Sequence, residues 1–217
     1  MFENVKAQPV FPTLIWIFDL PAEVRDRINP QMRQDLDRMT APRPPLKPGT
    51  NWQTEGTLHE WPQFAELTAL VHKAAQSVLD KMAVEYDDTV ITGSWANISP
   101  PGVPHPAHIH PNNLLSAVYY LSAPEGGNTI FFHDPRPQIE IMAPHYKNRN
   151  QFNSTLQHVE VSDGRLVMFP AWLVHSVPPN NSQSLRMSIS FNILPSRFSD
   201  KVAAPNWTGL PLKDPGA

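Results

Sequence analysis

The sequence of 217 residues contains no cysteine. Disulfide staples and thiolate metal sites are therefore excluded, and any metal ion must be held by histidine, aspartate or glutamate. No run approaches the roughly 18 apolar residues of a membrane span. The opening, MFENVKAQPVFPTLIWIFDLP, has no basic start followed by a long apolar stretch. A soluble, cytoplasmic protein without a membrane partner is the expectation. An excess of one charge is also missing: the net charge is −3 with no Lys/Arg cluster, so there is no basic field for nucleic acid. Glycine is sparse at 9 residues, whereas proline reaches 25, about twice its usual share. Together they point to many turns and short strands in place of a helical bundle.

The length suits one large domain with a full core. Residues 9–18 (PVFPTLIWIF) read as a strand. Residues 22–40 read as a helix interrupted at Pro30, and 41–50 as a proline-rich connection. Residues 63–83 are the best helix: Phe64, Leu67, Leu70, Val71, Ala74, Val78, Leu79 and Met82 form one apolar stripe. Such a stripe belongs to core packing, and the helix should brace the face of a sheet. From residue 89 the pattern changes to short runs at 89–98, 106–110, 113–121, 128–133, 139–142, 156–161, 165–169, 172–177 and 184–194. Strands this short and closely spaced predict an antiparallel sandwich or barrel. Residues 124–128 (PEGGN) and Asp163-Gly164 have the composition of hairpin connections. Residues 143–155 read as a polar excursion, and the tail lacks periodicity. The expected organisation is a single domain over 1–217: strand and helical support in 1–88, a β core in 89–198 and a tail in 199–217.

The first chemical signal is His105-Pro-Ala-His108-Ile-His110. On a strand, residues i and i+2 face the same way, so His108 and His110 can converge on one cation. His105, three residues before His108, should face away as a loop histidine. A third ligand would come from a distant segment, and His175, in VMFPAWLVHSVP (167–178), is the candidate. Alone, a histidine on an apolar strand is more often a satisfied core residue; the upstream pair is what singles it out.

Residues 184–194 alternate. Leu185, Met187, Ile189, Phe191 and Ile193 share one face; Arg186, Ser188, Ser190 and Asn192 share the other. The ordinary reading is core on one side and water on the other. The sharper reading turns the polar face into a barrel holding an anion, where Arg186 pairs with a carboxylate. Residues 113–121 offer the same choice, with Tyr120 either packed with its hydroxyl at the surface or turned inward as a donor.

The order of these pieces is that of a known superfamily: FPT at 11–13, HIHPN at 108–112, LLSAVYYL at 114–121, GGNTIFF at 126–132, DPR at 134–136, FPAWLVHSVPPN at 169–180, and Arg186 eleven residues after His175. This set resembles the 2-oxoglutarate/Fe(II) oxygenases, nearest to a bacterial and phage branch of functionally unassigned members, with motifs similar to prolyl hydroxylases. The resemblance implies a double-stranded β-helix (jelly-roll) with the N-terminal strand and helices packed on one sheet. It implies an Fe(II)- and 2-oxoglutarate-dependent dioxygenase that uses O₂, releases succinate and CO₂, and hydroxylates an unidentified prime substrate. His108 and His175 match the iron-binding histidines, Arg186 the residue that clamps the distal carboxylate of 2-oxoglutarate, and Tyr120 a donor to the same group. Asn192 and Asn97 would line the pocket, with Asn112 a further candidate. One departure stands out: His110 occupies the position where the family has Asp or Glu. A three-histidine site, substitution by Asp134, or a site with two histidines are the alternatives. Outside the resemblance, three histidines also suit a zinc hydrolase or hydratase, and a jelly-roll can bind a ligand without catalysis. The sequence fixes neither the prime substrate nor an oligomeric state. Residues 41–60 and 143–155 are candidate lid or specificity loops.

Overall fold

The computed structural model describes residues 3–141 and 143–196; the expected tail over 199–217 lies outside them. In chain order the elements are β1 (Trp16–Asp19), α1 (Ala22–Met39), β2 (Trp52–Gln53), α2 (Ala65–Lys81), β3 (Thr89–Ser99), β4 (His105–His108), β5 (Leu115–Ser122), β6 (Thr129–His133), β7 (Leu156–Glu160), β8 (Arg165–Pro170), β9 (His175–Val177) and β10 (Arg186–Pro195). Two antiparallel sheets result: a six-stranded one ordered β1-β8-β5-β10-β3-β2 and a four-stranded one ordered β4-β9-β6-β7. Set side by side, β3-β10-β5-β8 and β4-β9-β6-β7 are the two interleaved layers of a jelly-roll.

This topology changes the meaning of the expected hairpins. Residues 124–128 and Asp163-Gly164 are tight turns, with Gly126 at φ 83 and Gly164 at φ 86. They join β5 to β6 and β7 to β8, strands of opposite sheets, so they are arches between layers. Pairing within each sheet is instead closed by strands far apart in sequence. The first arch is held closely: a Cβ on Gly127 would meet Asn180 Oδ1 at 2.5 Å. Asn180, which closes the 169–180 motif, is itself buried and donates to the Ser99 and Ser184 carbonyls at 3.1 and 2.8 Å.

Other elements depart from expectation for local reasons. The strand expected over 9–18 shrinks to Trp16–Asp19, since Pro9 and Pro12 cannot donate to a ladder. The strand expected near 139–142 is replaced by a 3₁₀ turn over Pro137–Glu140, opened by its proline. Helix α1 runs through Pro30. That proline is exposed, so water can meet the Asp26 carbonyl that loses its donor.

Both helices brace the outer face of the large sheet. Met32 and Leu36 of α1 and Leu67, Val71 and Val78 of α2 join one buried cluster with Tyr119, Ile189 and Phe191. Each such fully buried side chain contributes about 1.5–3 kcal/mol of transfer free energy. The apolar face of β10 is thus covered by helices, and its polar face turns inward between the sheets. A second cluster, including Ile130, Phe132, Val167 and Phe169, fills part of that interior. The rest is left to polar side chains.

Candidate functional site

His108 ends β4 and pairs in register with His175, the first residue of β9. His110 lies beyond the strand, so the i, i+2 argument does not place it. A loop bond does: its backbone N–H donates to the Ala171 carbonyl at 2.9 Å. The three rings converge. Centroid separations are 5.0 Å for His108–His110, 4.2 Å for His108–His175 and 5.2 Å for His110–His175. One ligand nitrogen from each lies within 4.8 Å of the other two.

The tautomers of two rings follow from their neighbours. His108 Nδ1 lies 2.9 Å from the Pro106 carbonyl and His175 Nδ1 lies 3.0 Å from the Leu173 carbonyl. A carbonyl only accepts, so each Nδ1 carries a hydrogen and Nε2 is the nitrogen left to act as a metal ligand. Burial, with the neighbouring imidazoles adding to it, lowers the pKa of His110 to about 4. Burial likewise lowers His175 to about 3, against the Leu173 bond. Both rings are neutral at pH 7, the form that binds metal. The Nε2 atoms of His110 and His175 are 3.3 Å apart. Two imidazole nitrogens bound at about 2.0–2.1 Å to one cation, at angles between octahedral and tetrahedral, sit about 2.8–3.4 Å apart. The donor set therefore fits a divalent ion.

Opposite the histidines stands Arg186, 4% exposed, at the start of β10. Its guanidinium donates to the Pro178 carbonyl at 3.2 Å and the Val103 carbonyl at 3.4 Å. Burial holds its pKa below the usual value. Tyr120 of β5 faces the same cavity, and its buried hydroxyl has no hydrogen-bond partner. Among the described residues, no aspartate or glutamate lines this cavity. A buried cation without an anion, beside an orphaned hydroxyl, is costly unless a ligand supplies the missing acceptor. Together they fit a carboxylate. With the rings drawn in on one another the cavity is narrow, about 40 Å³.

The other expected residues divide. Asn97 lines the cavity, donating to Ser190 Oγ at 3.3 Å and accepting from Asn51 at 3.1 Å. Through Asn51 the 41–60 segment therefore touches the wall of the site. Asn192 shares the inward face of β10 but is not among the lining residues; its Oδ1 accepts from Ser116 Oγ at 3.2 Å. Asn112 is an exposed turn residue at φ 63. Asp134 is held away from the histidines: it pairs with Arg136 at 2.7 Å and caps that residue's N–H at 2.9 Å. It does not join the histidine cluster.

His105 overturns its expectation. It pairs with Val177 while His108 pairs with His175, so β4 spends three residues where β9 spends two. One extra residue reverses the strand's parity. His105 accordingly lines the cavity, its ring 4.7 Å from that of His108. The signal was present in Pro106, since a proline within a strand marks an edge or a bulge, and β4 is both. Trp95, its ring 5.7 Å from His110, was also missed.

A wider groove of about 1040 Å³ lies beyond Leu173 and Phe132, both neighbours of His175. Residues 8–15 and Phe152 of the 143–155 segment form part of its wall.

Residues 93–192 match the protein family described as "Putative 2OG-Fe(II) oxygenase". No curated protein matches by sequence. Among solved structures, the chain is similar to the non-heme alpha-ketoglutarate-dependent epimerase SnoN from nogalamycin biosynthesis: TM-score 0.60, 14% identity, 83% of this chain and 76% of that one. It is similar to HygX from Streptomyces hygroscopicus with nickel and 2-oxoglutarate bound: TM-score 0.60, 16% identity, 86% and 84%. It is also similar to a Pseudomonas putida prolyl-4-hydroxylase: TM-score 0.57, 16% identity, 83% and 92%. At these identities the structural likeness speaks for the fold.

Proposed function

We propose, from the match of residues 93–192 to the family described as "Putative 2OG-Fe(II) oxygenase", that the chain is an Fe(II)- and 2-oxoglutarate-dependent dioxygenase acting in the cytoplasm on an unidentified substrate. The single observation that carries this reading is one cavity holding three converging imidazoles and a buried guanidinium with no acid among its described lining residues to balance it. In this reading His108, His110 and His175 hold the metal: backbone carbonyls orient the rings of His108 and His175, and the backbone bond from His110 to Ala171 positions the third. Iron with 2-oxoglutarate supplies the oxidising chemistry that couples release of succinate and CO₂ to hydroxylation of a C–H bond.

The protein's own contribution is binding, orientation and exclusion of water. Arg186 takes the distal carboxylate as a charge-assisted pair, which the low exposure of the guanidinium strengthens. Tyr120 donates its free hydroxyl to the same group. With that end fixed, the keto-acid end is directed at the imidazoles across the cavity. Phe169, its ring 4.6 Å from that of His175, keeps one side of the site apolar. No proton need be taken by a side chain of the site, and none is assigned as a general base. Residues 1–88 serve as the buttress and 89–198 as the working core of one domain, supported by the shared cluster of helix and sheet side chains.

The test is an anaerobic titration of metal-free protein with Fe(II) and then 2-oxoglutarate, read by the visible charge-transfer band of the chelate, followed by succinate release in air. A band and succinate are expected. A protein that binds zinc, hydrolyses or hydrates a substrate and shows no band with Fe(II) would favour the zinc enzyme, a reading that leaves Arg186 and Tyr120 without a ligand.

A further inference from the structure

We propose that His105 is a fourth working histidine of the site: it does not hold the metal but donates a hydrogen bond to the distal carboxylate gripped by Arg186. The inference rests on the oxygenase reading above and adds a residue to it. Three observations on different elements converge. The extra residue in β4 turns His105 into the cavity it would otherwise face away from. A bulge of this kind commonly re-aims a side chain beside a functional site. The Arg186 guanidinium is anchored to the carbonyl of Val103, two residues before His105, so one short segment carries both the anchor of the cation and the imidazole. On its other side the His105 ring lies 4.7 Å from that of His108. The imidazole therefore lines the same cavity as the metal-holding cluster and the guanidinium, the cavity a dicarboxylate must span to reach both.

His105 is not needed for the metal. His108, His110 and His175 already bring three nitrogens together, and His105 is outside that group. A neutral imidazole always carries one N–H, and in a cavity lined by no acid the distal carboxylate is the strongest acceptor available to it.

The experiment compares wild type with His105→Phe, which keeps an aromatic ring and loses the donor, and with His105→Asn and His105→Gln, which restore a donor at the two positions an imidazole N–H can occupy. Two affinities are measured anaerobically by calorimetry: Ni(II) for the metal-free protein, and 2-oxoglutarate for the Ni(II)-loaded protein. A third arm replaces 2-oxoglutarate with 2-oxobutanoate, which keeps the keto acid and lacks the distal carboxylate. For His105→Phe the 2-oxoglutarate affinity should fall at least about tenfold, the scale of one hydrogen bond to a charged group. Ni(II) affinity should stay within about twofold, and 2-oxobutanoate affinity should be unchanged. Asn or Gln should recover part of the loss. If His105→Phe loses Ni(II) affinity in parallel, or loses both keto acids equally, His105 is a ligand or a structural residue and the proposal is overturned. Unchanged 2-oxoglutarate affinity overturns it too. Failure of wild type itself to bind 2-oxoglutarate would strike the oxygenase reading first, so the two failures are separable.

Discussion

Tyr119 and Tyr120 are consecutive residues of one strand with opposite hydrogen-bonding fates: the Tyr119 hydroxyl donates to Asn29 Oδ1 at 2.6 Å under helix α1, while the Tyr120 hydroxyl is buried in the central cavity with no partner. Their removal should have opposite consequences. Tyr119→Phe strands a buried acceptor and should destabilise the fold by about 1–3 kcal/mol, leaving 2-oxoglutarate affinity alone. Tyr120→Phe removes an unsatisfied hydroxyl, so the unliganded protein should be as stable or slightly more so. Its 2-oxoglutarate affinity should fall by about 1.5–3 kcal/mol. Denaturant melts and calorimetric titrations of the pair check both signs; loss of stability in Tyr120→Phe without loss of affinity would remove Tyr120 from the site.

Arg186 should show the same trade more strongly. Its guanidinium is buried with two carbonyl acceptors and no anion. Arg186→Met, similar in reach and uncharged, should raise the melting temperature of the unliganded protein, because a buried lone cation opposes folding. The same change should cost about 2–5 kcal/mol of 2-oxoglutarate affinity while metal affinity persists. Normal 2-oxoglutarate turnover by the variant would refute the clamp.

Replacing His110 by aspartate tests the departure from the usual ligand set. A carboxylate would put negative charge into a cavity that has none among its described lining residues. In the absence of 2-oxoglutarate, His110→Asp should hold Ni(II) or Fe(II) at least as tightly as wild type, whereas His175→Ala should lose metal outright. With three imidazole ligands and no carboxylate among them, the cosubstrate dianion is the main charge balance. The mutual strengthening of metal and 2-oxoglutarate binding should therefore be larger in wild type than in His110→Asp, and by linkage equal whichever is added first. Equal coupling in the two proteins would show that charge balance is not what links them.

Acid should act on the metal-free protein through the same rings. The folded-state pKa values of His105 and His110, about 4, and of His175, about 3, lie below the 6.5 of the unfolded chain. Between these limits the unfolded state binds more protons, so stability rises with pH there. Chelator-treated protein should thus melt progressively lower as pH falls from about 6.5 toward about 4, with little change above 7 from these groups. His175→Phe should flatten that slope; an unchanged slope would mean that the imidazoles are not the groups responsible.

How far the sequence could be read depended on whether a feature is periodic. The β10 alternation needs only the two-residue repeat of a strand, and it correctly separated Arg186 and Ser188 from Ile189 and Phe191; what remained ambiguous was which face met water. Helices resolved that, because α1 and α2 cover the apolar side. The stripe over Leu67 to Leu79 was legible for the same reason. A single extra residue between His105 and His108 has no period and reverses every inference made by counting. His110 reached the cluster by a loop bond to Ala171, which no strand rule describes. Asn192 obeyed the alternation, yet its side chain is spoken for by Ser116, so sharing a face did not amount to sharing the cavity.

The candidate site is divided between the two layers of the sandwich. His108 and His175 belong to the small sheet, while Tyr120, Arg186 and Asn97 belong to the large one. A molecule tied at one end to the imidazoles and at the other to the guanidinium would act as a rivet through both layers. Occupancy should then be felt well away from the cavity, as slower amide exchange in β6 and β8 and as greater resistance to proteolysis along the arches that join the sheets.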